Sequence, residues 1–156
     1  MSKRLLVAFD DSENASRGVV FIDKYFSRDV DITLLSVVPD TASICNMNSP
    51  SLTHYFRNKQ SAFCTIEDMK KQVLKDALAS AKARLEEAGF DRERITTKVV
   101  SEKKGVAGAI IEEAGRDYDT LVIGRKGHSA LEEFFMGSIT YKVMNSVRNV
   151  NLVLVR

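Results

Sequence analysis

The sequence predicts one α/β domain built on a doubly wound, five-stranded parallel sheet with helices on both faces. Five short apolar segments alternate with stretches of helical periodicity, which is the order expected of consecutive βαβ units. The first two segments, RLLVAF and ITLLSVV, are continuous apolar runs, as in strands that are covered on both faces. A chain of 156 residues suits a single domain with a substantial core.

The bounds of the elements follow from apolar runs, capping residues and breakers. Ser12 is in position to cap the first helix, Pro39 stops the second strand, and Gly89 ends the longest helix. Thr65 and Asp68 have the spacing of a capping box at the start of that helix. The predicted strands are 4–9, 31–38, 95–101, 121–123 and 151–155, and the predicted helices are 12–26, 65–89, 105–116 and 138–147.

In the longest predicted helix the apolar residues share one face, which we expect to be buried. The charged residues of this helix form the solvated face and need no functional explanation. The apolar residues are Ile66, Met69, Val73, Ala77, Ala81, Leu85 and Ala88.

The segment 40–64 has no clear period and contains Pro50, three asparagines, several serines and both cysteines. A connection of this length in a compact domain is usually functional or mobile. We expect a variable surface loop; the alternative is a flap over a ligand, with Tyr55 and Phe56 as contacts.

The composition excludes several classes of protein. With 23 basic and 21 acidic residues the net charge is +2, and no basic stripe favours nucleic acid. The apolar run near the N-terminus is too short for a signal peptide or a membrane span, so the cytoplasm is the expected compartment. Two histidines and two cysteines, Cys45 and Cys64, give no zinc-ligand spacing. A disulfide is sterically possible, but free thiols are the expectation in a reducing compartment.

A strand order of 3-2-1-4-5 would place the carboxyl ends of strands 1 and 4 side by side. In doubly wound sheets ligands bind at this point, where the winding reverses. Asp10 closes strand 1 and Gly124 closes strand 4. A carboxylate and a glycine-bearing loop would therefore converge on one crevice.

The segment 120–140, TLVIGRKGHSALEEFFMGSIT, joins the fourth strand to the last helix. Its glycines, at 124, 127 and 137, accept positive φ and let backbone amides approach a ligand closely. A strand, a glycine loop and a helix N-terminus together favour an anion, and two basic residues follow Gly124. The segment is a predicted phosphate site.

The spacing Gly-x2-Gly-x9-Gly-Ser resembles the nucleotide-binding pattern of the universal stress protein family, where it holds the ribose and phosphates of ATP. The stretches LLVAFDDSENA, ITLLSVV and DTLVIG and the final apolar strand are similar to that family too, so the resemblance covers nearly the whole chain. It implies a Rossmann-like domain of the adenine nucleotide α-hydrolase-like type that binds ATP, with or without Mg²⁺. It also implies a stress-response or regulatory module with weak or no ATP hydrolysis, and a homodimer formed through strand 151–155.

The resemblance implies roles for individual residues. Asp10 corresponds to the acidic residue that contacts the adenine or ribose side, and Val37 to an apolar residue that packs on adenine. Phe9 is bulkier than expected at its position, so it either crowds the pocket or faces the core. The other predicted site residues are Ala8, Ile123, Gly124, Arg125, Gly127, His128, Gly137, Ser138 and Ile139.

Three other functions are open at this point. A receiver domain would explain Asp10-Asp11, but strand 3 ends in Ser101-Glu102 where a receiver needs an aspartate. An ATP-consuming enzyme of the α-hydrolase-like group often carries an SGGxDS-type loop after strand 1, where this chain has DDSEN. The third alternative is a nucleotide-free protein-interaction module of the same fold. The GxxxxGK[ST] loop of a P-loop enzyme is absent from the sequence.

The glycine loop generates the first prediction. Gly127→Val should abolish ATP binding while the fold survives, because the new side chain would occupy the place of a phosphate. Isothermal titration calorimetry measures the affinity, and an unchanged value would refute the assignment of this loop.

Overall fold

The computed structural model of the protein describes residues 3–10, 12–51, 53–102, 104–125 and 136–156, so Gly127 and His128 lie outside the described residues. The strands are β1 (Arg4–Ala8), β2 (Asp31–Pro39), β3 (Ile95–Glu102), β4 (Thr120–Gly124) and β5 (Asn151–Val155). The helices are α1 (Glu13–Tyr25), α2 (Ala42–Cys45), α3 (His54–Glu87), α4 (Gly105–Ala114) and α5 (Ser138–Ser146).

The five strands form one parallel sheet in the order β3-β2-β1-β4-β5, which confirms the predicted fold class and strand order. From β1 the chain adds β2 and then β3 on one side, and it then crosses back so that β4 pairs with β1 on the other side. This order is inconsistent with the receiver alternative, because a receiver sheet runs 2-1-3-4-5.

Helices cover both faces of the sheet, as predicted. On one face α1 and α3 pack over a core that includes Leu5, Val7 and Leu34, with Ile22 and Leu85 from the helices. On the other face α4 and α5 pack over a second core. Its members include Leu6, Leu35, Leu121, Ile110 and Val143. Successive residues of β1 thus enter opposite cores, as the period of a strand requires.

A buried carboxylate fastens α4 to the sheet. Glu113 of α4 accepts hydrogen bonds from Lys98 Nζ on β3 at 2.7 Å and from the Tyr118 hydroxyl at 2.9 Å, and Arg116 lies 3.3 Å away. Burial alone would raise the pKa of Glu113, but the bonds from Lys98 and Tyr118 outweigh it and the pKa is lowered. The carboxylate therefore stays charged and holds α4 in register with β3.

The predicted ends of two helices are confirmed. Ser12 caps α1, since its side-chain oxygen accepts from the amide of Ala15 at 3.2 Å. Gly89 follows the end of α3 with a φ of +94°, a conformation that only glycine adopts without strain.

The expectation of a loop over 40–64 is wrong, and so is a helix start at Thr65. A short helix, α2, occupies Ala42–Cys45, and α3 begins at His54. Thr53 caps α3, its hydroxyl accepting from the amide of Phe56 at 3.3 Å. Thr65 lies inside the helix and donates to the carbonyl oxygen of Ser61 at 2.9 Å. The available signal was the lack of glycine and proline from 51 to 88, which permits a long helix without an apolar period.

The apolar face expected of this helix is buried only towards its C-terminal end. Leu85 and Ala81 are buried, but Ile66, Met69 and Val73 are 52%, 65% and 54% exposed. The reason is length: a helix of 34 residues spans roughly 51 Å, whereas a nine-residue strand spans roughly 30 Å. The first half of α3 extends past the sheet that would cover it. Within the described parts of the chain, no helix is both long and apolar enough to cross a membrane.

The expectation of free thiols is also wrong, because a disulfide joins Cys45 at the end of α2 to Cys64 in α3. Gln60 Nε2 adds a second link by donating to the carbonyl oxygens of Ile44 and Met47 at 2.5 and 2.9 Å. The two links fix α2 against the overhanging half of α3.

The position of the bridge predicts a local effect of its removal. The bridge closes a loop with a sequence separation of 19, for which the chain-entropy contribution is about 3 kcal/mol. Because it links two elements outside the main cores, a Cys45→Ser, Cys64→Ser double variant should exchange its amide hydrogens faster over residues 42–64. Amides of β1 and β4, which exchange only through global unfolding, should accelerate by no more than the roughly hundredfold that a loss of about 3 kcal/mol allows. Equal exchange over 42–64 in both proteins, or free thiols in the native wild type, would contradict this account.

Candidate functional site

The carboxyl end of β1 is fixed to its neighbour by two buried hydrogen bonds. The Phe9 amide donates to the carbonyl oxygen of Leu35 at 2.8 Å, and the Ser36 hydroxyl donates to the carbonyl oxygen of Phe9 at 2.7 Å. Ser36 is fully buried between strands that are otherwise apolar. It thereby fixes the peptide that carries Asp10.

Asp10 lies between the end of β1 and the start of α1. Its Oδ1 accepts from the Ser12 amide at 2.9 Å, and Ser12 in turn caps the helix. The carboxylate is half-buried, so it stays within reach of a ligand. These two hydrogen bonds fix the orientation of the Asp10 carboxylate at the carboxyl end of β1.

The end of β4 and the start of α5 are tied together. The Thr140 hydroxyl donates to the carbonyl oxygen of Gly124 at 2.9 Å, and the Gly137 amide donates to that of Arg125 at 3.0 Å. The Arg125 amide continues the sheet by donating to the carbonyl oxygen of Val155 at 2.8 Å. The N-terminus of α5 is therefore held directly beside the end of β4, whatever lies between 125 and 136 in the chain.

Helix α5 begins at Ser138 after Gly137, whose extended backbone leads into it, and Gly137 has no side chain that could cap it. The first amides of a helix have no partner within the helix, and the helix dipole adds partial positive charge there. Ser138 and Ile139 are exposed at this end, whereas Thr140 is buried. The start of α5 is thus able to receive an anion.

These two ends enclose a cavity of about 250 Å³, just below the roughly 300–1,000 Å³ of small-molecule pockets. Nine of the predicted site residues line it. They are Ala8, Phe9, Asp10, Val37, Ile123, Gly124, Gly137, Ser138 and Ile139. Arg125, the tenth predicted site residue that the structure describes, does not line the cavity. Tyr55 and Phe56 belong to the first turn of α3 and do not line it either. The flap interpretation therefore has no support in this structure.

The cavity also has walls that the sequence analysis did not assign to it: Ser12, Ala15, Leu35, Val106, Ile110 and Thr140. Val106 and Ile110 come from α4, which the Glu113 cluster holds over the sheet. In the sequence these two residues belong only to the apolar face of a helix, and such a face predicts burial in the core. Thr140 gave no such signal, because Ser138, Tyr141 and Lys142 surround it in the sequence.

One half of the cavity is apolar and the other polar. Ala8, Leu35, Val37 and Ile110 belong to the second core and its rim, and they form a surface suited to a flat apolar group. The ring of Phe9 packs in the opposite core at 6% exposure, so Phe9 faces the core and only borders the cavity. Among the residues that the structure describes, no group of three or more His, Cys, Asp or Glu side chains could hold a metal ion.

Comparison with known proteins identifies relatives over the whole chain. A family model described as the universal stress protein family matches residues 1–156. No curated protein matches the chain.

Solved structures with the same fold include the universal stress protein UspA from Lactobacillus plantarum. Its TM-score is 0.74 at 20% identity, over 99% of this chain and 97% of that one. The universal stress protein from Archaeoglobus fulgidus in complex with dAMP has a TM-score of 0.62 at 14% identity, over 100% and 98%. A universal stress protein in complex with cAMP has a TM-score of 0.64 at 16% identity, over 99% and 97%. At these identities the likeness shows a shared fold.

Proposed function

The chain belongs to the universal stress protein family, and we propose that it binds ATP in the cavity between β1, β4 and α5 as a regulatory module of a stress response. Occupancy by the nucleotide would change the surface or the assembly of the protein, with weak or no hydrolysis. The observation that carries this proposal is the convergence of Asp10 and the α5 N-terminus on one half-apolar cavity.

The apolar half of the cavity suits the base. Val37 at the end of β2 and Val106 and Ile110 of α4 present aliphatic surface to the cavity from two directions. A purine buries its two faces well between such groups because hydrophobic burial needs no direction. Two structural neighbours carry dAMP and cAMP in their names, and these ligands share adenine and a phosphate.

The polar half suits the phosphates. The amides at the start of α5 and the Ser138 hydroxyl can both donate to phosphate oxygens. Thr140 is already engaged with Gly124, so we assign it a positioning role. Gly127 and His128 would complete this half, and their part rests on the sequence motif alone.

Asp10 suits the ribose. Its carboxylate accepts hydrogen bonds, and ribose hydroxyls donate them. Since Oδ1 already bonds the Ser12 amide, the carboxylate has a fixed orientation before any ligand arrives. A group that is oriented in advance loses little freedom on binding.

The role of Asp10 generates a prediction. Asp10→Ala should weaken ATP binding about ten- to a hundredfold, because a hydrogen bond to a charged group contributes roughly 1.5–3 kcal/mol. Calorimetric titration measures this loss. Asp10→Asn is the matched variant, since its amide oxygen can still accept from Ser12 while the charge is gone. ATP affinities equal to the wild type in both variants would remove Asp10 from the site.

We also propose a homodimer through β5, which lies at the edge of the sheet. The Asn151 amide donates to the carbonyl oxygen of Asp119, and the Val155 carbonyl oxygen accepts from Arg125, so the odd-numbered residues of β5 bond towards β4. The amides of Leu152 and Leu154 consequently point to the open edge. Such an edge favours pairing with a second copy, and two-fold pairing closes on itself as a dimer.

This geometry selects the variant that tests the dimer. Leu154→Pro removes an outward amide and leaves the bonds to β4 intact, so it should shift the protein towards monomer. Leu154→Ala keeps the amide and is the control. Light scattering should give the wild type twice the chain mass of 17.4 kDa. Wild-type protein that is monomeric at tens of micromolar would exclude this dimer without bearing on the nucleotide site.

A further inference from the structure

The disulfide between Cys45 and Cys64 encloses a segment that has no core of its own. It joins the last residue of α2 to the interior of α3, and none of the described residues from 42 to 66 is buried. We call residues 42–64 the bridged unit. Because tertiary packing of an apolar face is what normally holds a helix in place, side-chain burial contributes little to the position of this unit.

Helix α3 reaches the core only well beyond the bridge. From Ile66 to Leu74 it borders an open apolar groove of about 600 Å³ against the end of β2. Leu78 is its first buried apolar residue, roughly four helical turns after Cys64. Glu67 is buried before it, but the carboxylate pairs with Lys70 of the same helix at 2.8 Å. The core therefore anchors the C-terminal half of α3 and leaves the bridged unit to other contacts.

In the part of the chain that the structure describes, those other contacts are a few hydrogen bonds and the disulfide. Gln60 donates to two carbonyl oxygens beside α2, and Thr41, buried just before α2, accepts from Lys71 Nζ at 3.3 Å. One such hydrogen bond changes the ratio of closed to open forms by roughly two- to tenfold. A disulfide across a sequence separation of 19 changes it by roughly a hundredfold. The disulfide is therefore the strongest single contact that holds the unit closed.

Two further features make this bridge suited to opening and closing. Both cysteines are partly exposed, so a small thiol can reach the sulfur atoms. They are also the only two cysteines of the sequence, so the reduced chain can form no other bridge within the same molecule. Exposed disulfides are the more easily reduced ones, whereas structural disulfides resist reduction by glutathione.

We propose that the bridge is a reversible thiol–disulfide switch that holds the bridged unit closed when oxidised and releases it when reduced. The described residues of this unit belong to neither core, so the sheet stays folded when the unit opens. The switch does not depend on the nucleotide proposed for the first cavity.

The reductant of the switch is a small thiol such as glutathione. Its thiolate attacks one sulfur of the bridge, which forms a mixed disulfide and frees the other cysteine as a thiolate that takes up a proton. A second thiol of the reductant then displaces the first cysteine. The protein thereby gains two electrons and two protons, and the reductant leaves as a disulfide. Oxidised glutathione reverses both steps.

Equilibration of the full chain with mixtures of reduced and oxidised glutathione tests whether the bridge is switchable. Labelling with a maleimide followed by mass spectrometry counts the thiols. We expect the count to pass from none to two as the ratio of reduced to oxidised glutathione is raised, and to return when oxidised glutathione is restored. A bridge that stays oxidised in every mixture is structural, and that result would overturn the proposal.

Trypsin measures the release, because Arg57 and Lys59 are the only lysine and arginine residues of the bridged unit. Cleavage after them should be roughly a hundredfold faster in the reduced wild type than in the oxidised one, since proteolysis follows the population of the open form. The double variant Cys45→Ser, Cys64→Ser is the matched control. It should be cleaved at the fast rate with or without glutathione, which excludes an effect of glutathione on trypsin.

A variant that keeps the bridge separates the disulfide from the hydrogen bonds beside it. Gln60→Ala loses the bonds to α2 and should still be cleaved more slowly when oxidised than when reduced. Thermal melts should show one cooperative transition for the oxidised and the reduced wild type. Equal cleavage of oxidised and reduced wild type, oxidised Gln60→Ala cleaved as fast as its reduced form, or loss of the cooperative transition on reduction would each contradict the proposal.

Discussion

The parallel pairing of β1 with β4 is the constraint on which the candidate site depends. The register sets Ala8 opposite Ile123, so the two strands end at the same level and both Asp10 and Gly124 line the cavity. These residues are more than a hundred positions apart in the chain, and no local preference brings them together. The crossover from β3 back to β4 brings these residues together. It leaves a crevice at the carboxyl ends of β1 and β4, where the winding of the sheet reverses and where ligands of such sheets bind.

The surrounding contacts hold this edge rigid before any ligand is present. Ser36 holds the carbonyl group of Phe9 after the end of β1, and Thr140 holds the start of α5 to the end of β4. Glu113 holds α4 to β3 through Lys98. All three are buried polar groups with satisfied partners, which is the arrangement that specifies one geometry. The neighbouring part of the molecule is different, because the first half of α3 extends past the sheet and packs mainly against α2. The carboxyl-end side of the sheet therefore combines a fixed cavity with an apolar groove that is open to solvent.

The sequence predicts most of the fold because continuous apolar runs and capping residues mark strands and helix ends locally. It predicts nine wall residues of the cavity for a different reason, namely the glycine spacing and the family it resembles. Sequence reasoning missed the first eleven residues of α3 because they show no apolar period, and their only local signals are the capping residue Thr53 and the absence of glycine and proline. It also missed the cavity roles of Val106 and Ile110, because an aliphatic residue that lines a cavity has the same pattern as one that fills a core. The disulfide depends on where α2 packs against α3, which no local pattern indicates.

The most direct test of the central claim is a map of backbone amide chemical shifts of the wild-type protein during titration with ATP. We expect shifts concentrated at 8–10, 35–37, 106–110, 124 and 137–140, the stretches that line the cavity. Little change is expected along β3 and the second half of α3, which lie away from it. An absence of shifts at saturating ATP, or shifts centred on other surfaces, would contradict the account.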